Sequence, residues 1–145
     1  MGLVILRFRG VLFLIQQVNV EIVPAKCMRY RTVGDWLFLS PGCLMIRVAD
    51  TGNWKYNILV AIHELIEVVL CRDAGVTEKQ VDRFDLAHQD EEDPGTHPKA
   101  PYRIQHLTAM GVEMILAACM GVNWRVYEDA LDAIYYKIPK RKKPL

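Results

Sequence analysis

No two cysteines in this chain stand close enough to start a zinc knuckle. Cys27, Cys43, Cys71 and Cys119 are widely spaced and include no C-x-x-C pair, which also argues against a disulfide framework. They read as buried thiols of a cytoplasmic protein. Net charge is nearly missing too. The 18 Lys and Arg stand against 17 Asp and Glu, so no global field draws the chain to nucleic acid or to a membrane surface. Internal repeats are absent, as are low-complexity segments outside the C-terminal tail. A membrane-spanning run is also missing: apolar residues 1–15 are interrupted by Arg7 and Arg9, fall short of the roughly 20 residues a bilayer needs, and precede no small-residue cleavage site. Residues 1–17 are expected to be an N-terminal strand, a hairpin around Arg9-Gly10, or an extension.

What is present is a chain of 145 residues with 52% apolar content, enough for one domain with a core. That domain is assigned to residues 18–136, with residues 137–145 as a basic tail. Acidic residues gather in the middle, at Asp73, Glu78, Asp82, Asp85 and the run 90–93, while the end from Lys137 to Lys143 is basic. A solvated loop and a frayed tail account for both, and the tail offers nucleic acid only weak contact.

Short β-branched and aromatic runs at 18–23, 36–39 and 44–48, broken by Pro24, Gly34-Asp35 and Pro41-Gly42, predict a small antiparallel meander. Asp50 to Asn53 then supply a turn and an N-cap before an apolar run from near Tyr56 to Cys71, which stops before Gly75. Thr77 can cap a second helix reaching about His88. Residues 89–101 hold three prolines and a glycine and read as an exposed loop. Further helices are predicted over 102–120 and 123–136. Strands first and helices after is an α+β layout.

The chemistry concentrates at residues 58–71, where His63, Glu64 and Glu67 are the only residues that are not apolar. Such a helix is expected to be packed on nearly all sides. At 100° per residue, Glu64 and Glu67 lie about 100° and about 40° round from His63, so the three share one quarter of the circumference. A buried carboxylate without a partner costs several kcal/mol or takes up a proton, so something cationic should face this stripe. A divalent ion meets the need: His63 and Glu67, at i and i+4, can both reach it, while Glu64 points aside toward a water.

The motif His63-Glu64-Leu65-Ile66-Glu67 resembles the HExxH active-site helix of zincin metallopeptidases, with glutamate in place of the second histidine. The layout of a small sheet, this helix and a further helix is similar as well, over about residues 36–120. The chain also looks like small uncharacterised phage and bacterial proteins carrying a HELxE helix. The zincin resemblance implies a zincin-like fold, zinc, a peptide or protein substrate, and Glu64 as the general base that takes a proton from water at the metal. It further implies a third ligand. A histidine would restore the two-His, one-Glu inventory in permuted order.

His106, on the apolar helix 102–120, is the first candidate for that ligand, and His88 the second. His97 lies in the Pro-rich loop and reads as solvent-exposed. Asp85 stands three residues before His88 and could ligate with it. A carboxylate there would favour Mn, Fe or Mg over zinc. Glu113 is one heptad beyond His106, roughly 10 Å along the axis, too far for the same ion but placed to be a partner behind a ligand or in a salt bridge. The strand 44–48 could hold an extended peptide by edge pairing.

Two other readings stand beside this one. Glu64-x-x-Glu67 followed by Asp82-x-x-Asp85 is similar to the paired acidic motifs of all-α nucleotide pyrophosphohydrolases of the MazG type, which implies Mg²⁺ and a nucleoside triphosphate. Alternatively, a metal or salt-bridge network only ties the helices together in a partner-binding protein.

Overall fold

The computed structural model describes residues 15–141 and gives them an α+β architecture, a three-stranded mixed sheet followed by four α-helices. The predicted hairpin around Arg9-Gly10 and the last residues of the basic tail lie outside the described residues. Strands β1 (Gln17–Val23), β2 (Gly34–Ser40) and β3 (Cys43–Ala49) fall where the β-branched runs predict them.

Their order corrects the predicted meander. The sheet runs β1-β3-β2, with β1 parallel to β3 and β2 antiparallel to it. β3 is the most continuously apolar strand, and Leu44, Ile46, Val48 and Ala49 have no exposed surface. It therefore takes the central slot, where both edges are paired. β1 alternates Gln, Asn and Glu with Val and Ile and takes a sheet edge. Pro41 and Gly42 close the β2–β3 hairpin, with Gly42 at φ 82°, a conformation that favours glycine. A centrally paired β3 offers no edge to a peptide, so the substrate-holding role expected of residues 44–48 is overturned.

Helix α1 (Trp54–Ala74) begins at Asn53, whose side chain accepts the Lys55 N–H, and ends on Gly75 in the left-handed region at φ 75°. It is longer than the sequence pattern predicts and less enclosed. It packs on the sheet and on α3, while Ile58 and Val69 are exposed. Helix α2 (Glu78–Ala87) carries a full capping box between Thr77 and Gln80. Helices α3 (Arg103–Cys119) and α4 (Trp124–Tyr135) follow, the latter capped by Asn123. The main core joins Leu44, Ile46 and Val48 of β3 to Leu59, Val68 and Cys71 of α1 and Tyr127 of α4. Of the four thiols only that of Cys71 is buried, so the expectation of four buried thiols fails: Cys27 and Cys119 are exposed. Among the described residues, no helix is long and apolar enough to cross a membrane.

Two regions read as exposed are in fact docked. Ile138 is fully buried with Met28 and Ala49, its carbonyl accepts from Arg31 Nε at 2.8 Å, and Arg141 Nη1 donates to the Arg29 carbonyl at 2.8 Å. Residues 137–141 are thus part of the domain. In the Pro-rich loop, Gln89, Gly95 and Ala100 are buried, and Pro94–Thr96 forms a short 3₁₀ turn against α3.

A polar network fixes α2 to the sheet. Arg29 makes a two-pronged contact with Asp35, at 2.6 and 2.7 Å, and reaches both carboxylate oxygens of Asp82 at 3.1 Å. Asp85 of α2 accepts from Tyr102, and from Tyr30 at 3.2 Å. Burial pushes the Asp85 carboxyl up to about 8, against the pull of its tyrosine partners. The folded protein therefore keeps a proton that the unfolded chain loses above about pH 4. The stability this group contributes is complete below about pH 4 and is lost as pH rises to about 8. Asp85→Asn is expected to flatten that fall, by on the order of a few kcal/mol between the two limits, read by comparing thermal melts of wild type and variant across the window. Equal slopes for the two proteins would contradict it.

Candidate metal centre

Helix α1 places His63 and Glu67 one turn apart, and α3 brings His106 against them in its first turn. His63 Nε2 and His106 Nδ1 are 3.0 Å apart, His106 Nδ1 and Glu67 Oε2 2.8 Å, and His63 Nε2 and Glu67 Oε2 3.5 Å. Ligand atoms of a tetrahedral ion bound at about 2.0–2.1 Å stand about 3.3 Å apart. The observed triangle brackets that spacing, and these three residues form a group able to hold a metal ion.

What surrounds the triangle decides which atoms face inward. Glu113 Oε2 lies 2.8 Å from His63 Nδ1, and its other oxygen accepts from Tyr127. Asp93 Oδ1 lies 2.9 Å from His106 Nε2. The outer nitrogen of each imidazole is thus placed to donate to a carboxylate, so that when the inner proton is shed the inner nitrogen presents a lone pair. Glu67 is held likewise: Trp36 Nε1–H donates to Oε1 at 3.0 Å, which aims Oε2 inward. Two imidazole lone pairs and a carboxylate oxygen therefore converge on one point, an arrangement that repels itself unless a cation sits there. Carboxylate–histidine pairs of this kind are what orients imidazoles toward metals.

The electrostatics say the same in protons. Burial works against charge on both histidines, yet Glu113 and Glu67 hold His63 well above its ordinary range, and Asp93 and Glu67 hold His106 at about 9. Burial pushes Glu67 up, but the two imidazoles override it and bring it down to about 2. Without an ion, protons supply the positive charge this site stabilises.

Glu64 lines the same cavity, of about 610 Å³, as the three ligand candidates. It is 9% exposed, and among the described residues its carboxylate makes no hydrogen bond, its oxygens opening instead onto the cavity. Burial, then the neighbouring Glu67 charge, push its pKa well up. Gly34 makes room for it, since a Cβ there would overlap the Glu64 carboxylate. Gly95 does the same for His106, where a Cβ would strike the imidazole ring. Gly95→Ala is expected to push His106 off the triangle and weaken divalent-ion affinity by about 10–100-fold, the range seen when the groups that orient ligands are disturbed. Competition titration with a chromophoric chelator reads it, and unchanged affinity would refute the packing role.

The other sequence candidates fall outside the triangle. Asp85 is engaged by Tyr102 and Tyr30, and Asp82 by Arg29, so the four carboxylates of the paired acidic motifs do not converge. His88 turns away: Nδ1 donates to the Phe84 carbonyl at 2.7 Å, and the ring stacks on Phe84 with centroids 3.9 Å apart. It stands near Glu91 and His97 in a second group of potential ligands. There His97 Nδ1 accepts the Lys99 N–H at 3.0 Å, so its other nitrogen carries the proton and donates rather than ligates. Glu113 occupies the position behind a ligand that its spacing allows. Asp93, Trp36, Tyr127, Gly34 and Gly95 were not legible as site residues. Asp93 alone left a trace, as the acid of the Pro-rich loop nearest its Pro-Gly turn.

No protein-family model, curated protein or solved structure matches the chain.

Proposed function

We propose that the protein is a zincin-like metal-dependent hydrolase of peptide bonds, with His63, Glu67 and His106 as ligands and Glu64 as general base. The observation that carries this reading is the convergence of three donor atoms, each side chain backed by its own hydrogen-bond partner, beside a carboxylate that opens on the same cavity. Two histidines and a glutamate are a donor set of hydrolytic zinc sites, met here in permuted chain order. A divalent ion supplies Lewis acidity toward water and the scissile carbonyl. Glu64 takes the proton of the attacking water and delivers it to the leaving amine as the carbon–nitrogen bond breaks, so the same carboxyl serves as base and then acid. Glu113 and Asp93 keep the imidazoles turned inward, and Trp36 keeps Glu67 from swinging away. An ion serving only to staple helices needs no open side, whereas this triangle lines a cavity with room for several side chains.

The test is to incubate zinc-loaded protein with a mixture of synthetic peptides and read new termini by mass spectrometry. Cleavage that stops on chelation and returns on adding zinc is expected. No cleavage of any peptide by the fully loaded, folded protein would overturn the assignment.

A further inference from the structure

The cavity's outer wall is built by α4, and its composition points to a substrate. Trp124, Tyr127, Glu128, Leu131, Asp132 and Tyr135 recur at helical spacing and all line the cavity. Tyr127 and Tyr135 are committed elsewhere, the first to Glu113 and the second to the carbonyls of Gln89 and Glu91. That leaves an aromatic ring and an aliphatic side chain interleaved with two carboxylates one turn apart.

Those carboxylates have no cation of their own. Glu128 and Asp132 make no ion pair among the described residues, and as like charges at i and i+4 they disfavour the helix that carries them. Asp132 is raised by burial and then by the field of Glu92, Asp129, Glu128 and Asp93. Two arginines also line the cavity. Arg31 is turned to the Ile138 carbonyl and the Tyr135 ring, which leaves Arg125 outnumbered. On the α4 wall, negative charge at Glu128 and Asp132 therefore exceeds the positive charge of Arg125.

We infer that the cavity selects a peptide with a lysine or arginine side chain beside the bond at the metal, its aliphatic stem lying on Trp124 and Leu131 and its charged head between Glu128 and Asp132. A long cationic side chain meets both parts of the wall at once, since its stem buries apolar surface while its head stays polar. An acidic side chain meets only repulsion. This assignment rests on the hydrolase proposed above, but its recognition half can be read without turnover.

The experiment uses zinc-loaded full-length protein and two readouts. Peptides identical except for Lys, Arg, norleucine or Glu at one position are compared for kcat/KM. N-acetyl-lysinamide and N-acetyl-norleucinamide are titrated by Trp fluorescence, and free putrescine is added as the amine that carries no amide. At least tenfold faster cleavage of the Lys and Arg peptides than of the norleucine peptide is expected, with the Glu peptide slowest. Glu128→Gln/Asp132→Asn is expected to bring the Lys-to-norleucine ratio toward one while zinc content stays constant. Charge-dependent binding with no cleavage would sink the hydrolase and keep the recognition site. Cleavage indifferent to charge, or a ratio unmoved in the double variant, would overturn the inference and keep the hydrolase. Putrescine binding as tightly as N-acetyl-lysinamide would overturn the peptide and assign the wall to free amines.

Discussion

His63→Ala is expected to abolish stoichiometric metal binding. The wild type, purified without chelator, should carry close to one equivalent of divalent ion, and the variant less than roughly a tenth, because two remaining ligands cannot close a tetrahedral site. Elemental analysis reads the content, and Co²⁺ substitution reads the geometry through its visible spectrum. The alanine also strands the Glu113 carboxylate in the core with only Tyr127 as partner, at a cost of about 1–3 kcal/mol. His106→Ala is therefore the companion variant, since His106 stands nearer solvent and its outer partner Asp93 is 39% exposed. Both should lose the ion, with the His106 variant keeping more of its stability. Binding should also release protons and strengthen as pH rises to about 9, because the imidazoles must shed the protons their carboxylates hold in the empty site. A folded wild type that takes up no ion would end the metal assignment.

Element by element, the strands and helices were readable because their signals are local. β-branched runs, Thr77 as a cap and Gly75 as a stop each act within a turn of where they stand. Strand order was not readable from turns. It depends on which strand gains most from being covered on both sides, a comparison that favours β3 only when all three strands are weighed together. At the site, His63, Glu64 and Glu67 were visible because carboxylates in an apolar helix have no cheap explanation, and His106 because it sits on the other apolar helix. Its supports were not visible. Asp93 reaches the ring from a loop whose prolines and charges look solvated, and Trp36 from a strand where a tryptophan is an ordinary core residue. Gly34 and Gly95 matter through atoms they lack, which only the neighbouring Glu64 and His106 reveal.

Glu64→Gln should move activity and stability in opposite directions. Glutamine keeps the shape of the side chain, so it still fits beside Gly34, but it cannot take a proton from water. Loss of a general base lowers turnover by about 10²–10⁴-fold, and the metal content should stay at one equivalent because Glu64 is outside the ligand triangle. Stability should rise. The wild-type carboxyl is buried with no hydrogen bond and next to the charge of Glu67, which is why its pKa is driven up. Removing an acid that is desolvated and set beside a like charge is worth about 1–3 kcal/mol. A carboxylate that only braced the fold would give the reverse, a less stable protein with its rate intact. Peptide turnover at saturating zinc and thermal melts of the metal-free proteins separate the two. A variant that is slower and more stable identifies Glu64 as a group retained for chemistry at the expense of the fold.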